Sequence, residues 1–131
     1  MRWTLFGLVV GVLLALITMM SIEALGNSLY GVSADATPSA RAPAIALMFA
    51  LAGWVAGTLV GSWAAIRISG HARAGWVIAG FIVAAVLLYF MLDRYPLWMM
   101  IAGVVAPPLT AWLARPLAGV RHRVGRRAPS E

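Results

Sequence analysis

The chain has 131 residues, of which 63% are hydrophobic and 11% are charged. This balance excludes an ordinary water-soluble domain, in which about half of the residues are apolar and about a quarter are charged. The net charge of +6 would suit a nucleic acid, but the arginines flank apolar runs instead of lining one soluble face, so we expect no nucleic-acid partner.

The first apolar run covers about residues 3–25 and is long enough to cross about 30 Å of hydrocarbon. Because a signal peptide has a shorter apolar region of about 7–15 residues, we expect this run to be a retained helix. Residues 26–43 are rich in Gly, Ser, Asn, Asp and Pro, and this composition predicts a loop.

Three further apolar runs, at about residues 44–68, 74–92 and 97–114, are separated by short turns. Together the four runs predict an all-α fold, a polytopic membrane protein with a four-transmembrane-helix bundle. This transmembrane domain covers residues 1–116, and residues 117–131 form a basic tail.

The arginines are divided unevenly between the two ends of the predicted helices. Only Arg41 and Arg94 fall on one side. Since cytoplasmic loops carry the excess of basic residues, we expect both termini and the turn at residues 69–73 to lie in the cytoplasm, at the inner membrane of a bacterium. The four arginines of the tail are expected either to contact anionic lipid headgroups or only to set the topology. The arginines on the cytoplasmic side are Arg2, Arg67, Arg73, Arg115 and, in the tail, Arg121, Arg123, Arg126 and Arg127.

Small residues recur at every fourth position in the second helix and, less extensively, in the first. This spacing creates a groove that lets another helix approach closely, so that dispersion can hold helices together inside lipid. We predict that the two rows pack against each other; the alternative is that the second-helix row contacts a second copy, a lipid or a partner helix. The rows are Gly53, Gly57, Gly61 and Ala65 in the second helix and Gly7, Gly11 and Ala15 in the first.

Glu23 is the one acidic residue inside a predicted membrane run. Ionisable groups in such a position are costly, which makes Glu23 a candidate ion or proton site. It continues the row of Gly7, Gly11 and Ala15, so we expect it to face the bundle. The alternative is a structural role, in which Glu23 reaches the outer interface or pairs with Arg41 or Arg94.

Pro107 and Pro108 lie within the fourth apolar run. Because each lacks an N–H and its ring disturbs the preceding turn, we expect a kink or break near residues 104–106. Such a position can act as a hinge in a transporter, but neighbouring helices often satisfy the freed backbone groups. The structural kink is therefore the favoured interpretation.

Three short segments carry a resemblance: residues 22–26 (IEALG), 64–67 (AAIR) and 95–98 (YPLW). With them the chain resembles a group of small four-helix bacterial membrane proteins, and this resemblance implies the fold but no activity. A second comparison is the small multidrug resistance family, which has four helices and an essential glutamate in the first. Its glutamate lies near mid-helix, whereas Glu23 lies close to the predicted outer end of the helix.

No catalytic constellation is visible in the sequence, so we expect neither an enzyme nor a cofactor or metal. The leading hypothesis is an assembly role, as a homo-oligomer or as an accessory subunit of a larger membrane complex, with the glycine row of the second helix as the main contact. The alternative is a small proton- or ion-coupled transporter or channel that uses Glu23.

Overall fold

Four helices make up the computed structural model, which describes residues 2–30, 44–92 and 96–119. Each helix is long and apolar enough to cross a membrane. The predicted all-α architecture with four such helices is therefore confirmed. The helices are α1 (Arg2–Tyr30), α2 (Ala44–Ser69), α3 (Arg73–Leu92) and α4 (Leu97–Leu117).

Two helices extend past their predicted ends. The sequence predicted a loop from Gly26, but α1 continues to Tyr30. Gly26 is a packing position and not a turn, because a Cβ placed on it would lie only 2.5 Å from the Cβ of Phe49 in α2. At the other end of the chain, α4 continues through Arg115 to Leu117. Of the predicted tail, residues 120–131 lie outside the described part of the chain.

The centre of the bundle is α2, which contacts each of the other three helices. Half of its residues are buried, 13 of 26. α3 also packs against α4, whereas α1 packs chiefly on α2 and touches α3 to a lesser extent. The outer face of α1 consequently exposes large apolar side chains, such as those of Val9, Ile17 and Met20.

Two helices end at glycines with left-handed backbone conformation. Gly70 follows α2 with φ +70°, and Gly119 follows α4 with φ +71°. The N–H of Gly70 donates to the carbonyl of Ile66 at 2.8 Å, which satisfies one of the free carbonyls at the end of α2. Glycine adopts this conformation without the Cβ penalty that other residues incur.

α4 is helical throughout, including Pro107 and Pro108. The helix is therefore not broken near residues 104–106, where the sequence predicted a kink or a break. A kink of the helix axis and a hinge role remain predictions. Pro107 is fully buried, and the Thr110 hydroxyl donates to its carbonyl at 2.9 Å and to that of Ala106 at 3.1 Å. Such back-bonding by threonine often bends a helix.

Candidate functional site

The small-residue rows of α1 and α2 lie against each other along one antiparallel contact, here called the α1–α2 seam. The closest approach joins Gly11 and Gly61. A Cβ placed on Gly61 would lie 2.6 Å from the carbonyl oxygen of Gly11, and one placed on Gly11 would lie 2.7 Å from that of Gly61. Only glycine at both positions permits this separation. The seam consists of Gly7, Gly11 and Ala15 in α1 and of Gly53, Gly57, Gly61 and Ala65 in α2.

The same close spacing continues in both directions from this point. A Cβ on Gly57 would lie 2.7 Å from the carbonyl oxygen of Ala15, and a Cβ on Gly7 would lie 3.1 Å from the backbone nitrogen of Ser69. Backbone atoms of one helix thus contact backbone atoms of the other, as dispersion-driven packing in lipid requires. Since α1 covers the glycine row of α2, a second copy could bind to that row only if α1 moved away.

α3 joins the seam at its narrowest point. The Ile78 side chain lies 3.2–3.3 Å from the positions that Cβ atoms on Gly11 and Gly61 would occupy. Nearby, the Ser62 hydroxyl of α2 donates to the carbonyl oxygen of Gly75 in α3 at 3.2 Å. Three helices are therefore held together here by close packing and one buried hydrogen bond.

Glu23 lies further along the same face of α1 and is half-buried. Its Oε1 accepts a hydrogen bond from Nε1 of Trp54 at 3.2 Å. The partners predicted for it, Arg41 and Arg94, lie outside the described residues. In the part of the chain that the structure describes, the hydrogen-bond partner of Glu23 is the indole of α2 and not a cation.

Trp54 also connects Glu23 to the two remaining helices. Its ring packs edge-on against Phe90 of α3, with ring centroids 6.0 Å apart and an interplanar angle of 68°. Gly103 of α4 allows a close approach, since a Cβ there would lie 2.9 Å from Cζ3 of Trp54. All four helices thus contribute a residue to one cluster around a tryptophan that is 2% exposed.

The sequence interpretation missed Trp54, although a signal for it was present. A buried indole N–H normally finds an acceptor, and Trp54 lies well inside an apolar run whose neighbouring helix carries one carboxylate, Glu23. A tryptophan and a carboxylate within consecutive apolar runs are therefore candidate partners for each other.

Within the described part of the chain, the polar groups that form the Glu23 contact are one carboxylate and one indole donor. Among the described residues, no group of three or more His, Cys, Asp or Glu side chains is arranged to hold a metal ion. A single carboxylate can take up a proton or a cation, but it offers no second titratable group to work with it.

No family model, curated protein or solved structure matches this chain. The function therefore has to be argued from the residues and their arrangement. The remaining predicted positions, which are the tail arginines expected to contact lipid headgroups, lie outside the described residues; they are Arg121, Arg123, Arg126 and Arg127.

Proposed function

We propose that this chain is a non-enzymatic, multi-pass protein of a bacterial inner membrane with an assembly role, and that both of its termini are cytoplasmic. The composition and the four apolar helices support membrane insertion. The distribution of arginines supports the orientation. The assembly role is supported by one feature of α3, the environment of Gly80.

Gly80 differs from the other glycines within the described helices. Each of those has a neighbouring helix close enough to meet a Cβ placed on it, whereas a Cβ on Gly80 would meet nothing within 4 Å. A helical glycine weakens the helix relative to alanine and is useful where something must come close. Gly80 and Ala84, four residues apart, are both exposed among the described residues on the outer face of α3, so this face is open to a group from outside the chain.

The occupant that we favour is a second copy of this chain. Two copies in one membrane share their orientation, so their α3 helices can run parallel, as in dimers held by small residues four positions apart. A two-fold contact of this kind is self-complementary, with each Gly80 facing the partner helix. This assigns the oligomer contact to α3, because the seam of α2 is already covered by α1.

Single cysteines test this contact directly, since the chain has none of its own. Ala84→Cys is expected to form a disulfide-linked dimer in isolated membranes under mild oxidation. Leu13→Cys is the matched control: Leu13 is 53% exposed and, like Ala84, lies eleven residues after the first residue of its helix. Adding Gly80→Ile to Ala84→Cys should abolish the dimer.

Equal cross-linking of Ala84→Cys and Leu13→Cys, or cross-linking that survives Gly80→Ile, would overturn the α3 contact. A product linked to a different polypeptide would overturn the second copy as occupant and favour an accessory subunit of a larger complex. A chain that extracts from membranes at alkaline pH without detergent would overturn membrane insertion itself.

The second candidate function is a small proton- or ion-coupled transporter or channel, and the Glu23–Trp54 contact favours it. Glu23→Gln keeps an oxygen that can accept from the indole N–H of Trp54, so the bundle should fold normally. In proteoliposomes with an entrapped pH indicator, a transporter would lose proton-coupled flux in this variant. Flux equal to that of the unmodified chain would remove Glu23 from the mechanism.

A further inference from the structure

Four arginines collect at the end of the bundle where α1 and α3 begin and α2 and α4 end. Contacts between helices place them there: Arg67 of α2 donates to the carbonyl of Ala118 at 3.4 Å, and Gly7 of α1 lies against Ser69. The only carboxylate side chain among the described residues, that of Glu23, contacts Trp54 in another layer of the bundle. This end therefore carries positive charge without a described acidic neighbour. The four arginines are Arg2, Arg67, Arg73 and Arg115.

Arg115 is the most constrained of the four. Its guanidinium carbon lies 5.3 Å from the ring centroid of Trp76 in α3, a cation–π arrangement that joins α4 to α3. Its Nε is buried and has no hydrogen-bond partner among the described residues. The Arg67 guanidinium, by contrast, has a backbone acceptor. The ring of Trp76 thus holds the Arg115 guanidinium in place. The Nε–H of Arg115 has no acceptor among the described residues.

A second arginine lies one helical turn before the same indole. Arg73 is exposed and precedes Trp76 by three residues on α3, so the two side chains are neighbours on the helix surface. Trp76 itself is 42% exposed. One arginine stacked on an amphipathic ring and a second one turn away, at the end of an apolar helix pair, match the chemistry of an anionic group with an apolar body.

We propose that Arg115, Trp76 and Arg73 bind the phosphate of an anionic phospholipid headgroup between α3 and α4. Arginine offers phosphate a planar set of parallel N–H donors, and basic pockets between transmembrane helices bind such headgroups. The lipid is favoured over a free phosphate ester because Trp112, one turn before Arg115 and 59% exposed, offers an apolar surface for the rest of the molecule. The inference rests on the proposed membrane insertion.

The test uses the full chain in nanodiscs that contain phosphatidylglycerol and phosphatidylcholine, with retained lipid counted by native mass spectrometry. The decisive variant is Arg115→Lys, which keeps the charge but loses the planar donor set and most of the stacking on Trp76. We expect it to lower the preference for phosphatidylglycerol about fivefold, a factor that corresponds to roughly 1 kcal/mol. Arg2→Lys is the matched control and should change the preference by less than about twofold, because the guanidinium that stacks on Trp76 is that of Arg115.

Each outcome decides the proposal. If Arg115→Lys and the unmodified chain show the same preference for phosphatidylglycerol, the lipid is attracted only by the overall positive charge, and the proposed site is overturned. Soluble glycerol 3-phosphate that displaces the lipid at low millimolar concentration would overturn a phospholipid as the ligand and identify a free phosphate ester. Trp76→Leu, which changes no charge, should repeat the loss seen in Arg115→Lys, and an unchanged preference would also count against the site. A chain that does not enter nanodiscs would instead refute the proposed membrane insertion.

Discussion

Replacing Gly61 by alanine adds one methyl group at the narrowest point of the α1–α2 seam. That methyl carbon would lie 2.6 Å from the carbonyl oxygen of Gly11 and 2.7 Å from the Cβ of Ala15. The nearer of these is a backbone atom, which cannot rotate out of the way. α1 would have to move outward by about 0.8 Å or more to restore an ordinary contact distance.

The energetic cost follows from this displacement. A gap of about 0.5–1 Å forfeits roughly a quarter to a half of the dispersion energy of each atom pair that it separates. The seam extends over several turns, so many pairs are affected at once, and overpacking of a close contact typically costs about 1–3 kcal/mol. We expect Gly61→Ala to destabilise the packed bundle by about 2 kcal/mol, which is about a 30-fold change in the unfolding equilibrium.

The measurement is reversible unfolding in mixed micelles as the fraction of a denaturing detergent rises, followed by near-ultraviolet circular dichroism. Gly80→Ala provides the matched control, because it adds the same methyl group to a helix where nothing lies within 4 Å. At a micelle excess that keeps the chain monomeric, this control should be about 0.5–1 kcal/mol more stable than the unmodified chain, because alanine favours the helix over glycine. If Gly61→Ala proves no less stable than Gly80→Ala, the close approach of the two helices is refuted.

Four substitutions test two hydrogen bonds and one backbone conformation. Trp54→Phe removes the donor to Glu23 and should cost about 1–3 kcal/mol, whereas Glu23→Gln, which keeps an acceptor, should cost much less; equal losses would contradict the hydrogen bond. Ser62→Ala removes the bond to the carbonyl of Gly75 and should cost about 0.6 kcal/mol in the same detergent titration, the average for such bonds in membranes. Gly70→Ala meets no neighbouring atom but requires alanine at φ +70°, so it should lose about 1–2 kcal/mol from the backbone alone; an unchanged midpoint would show that this conformation is not required.

The α1–α2 contact was the part of the arrangement most accessible from the sequence. Helical geometry places residues four apart on one face, so each row of small residues forms a groove along its helix. With only three other helices in the chain, few helices were available to pack into each groove. The same reasoning aligned Glu23 with Gly7, Gly11 and Ala15. In the structure Gly7, Gly11 and Ala15 are buried and Glu23 is half-buried.

Other features depend on information that local pattern does not contain. Gly26 has the composition of a turn, yet it allows α1 to pass close to Phe49, and only the three-dimensional path distinguishes these roles. The contact between Arg115 and Trp76 joins residues 39 positions apart, on helices whose relative rotation no single helix specifies. Charge alone assigned Arg115 to a side of the membrane and indicated nothing about its neighbour.

The regularity of the seam has a consequence for alignment along the helix axes. Because small residues repeat every four positions on both helices, a shift of one such step, about 6 Å, brings much of each row opposite a similar row again. The small residues by themselves therefore fit more than one axial alignment. The irregular contacts select among them: a slide of one step would separate the Glu23 carboxylate from the Trp54 indole and move Gly26 away from Phe49. The Glu23–Trp54 pair thus sets the axial alignment of α1 against α2 and adds little to the stability of the bundle. A single polar residue in the core of a coiled coil has the same effect on helix alignment.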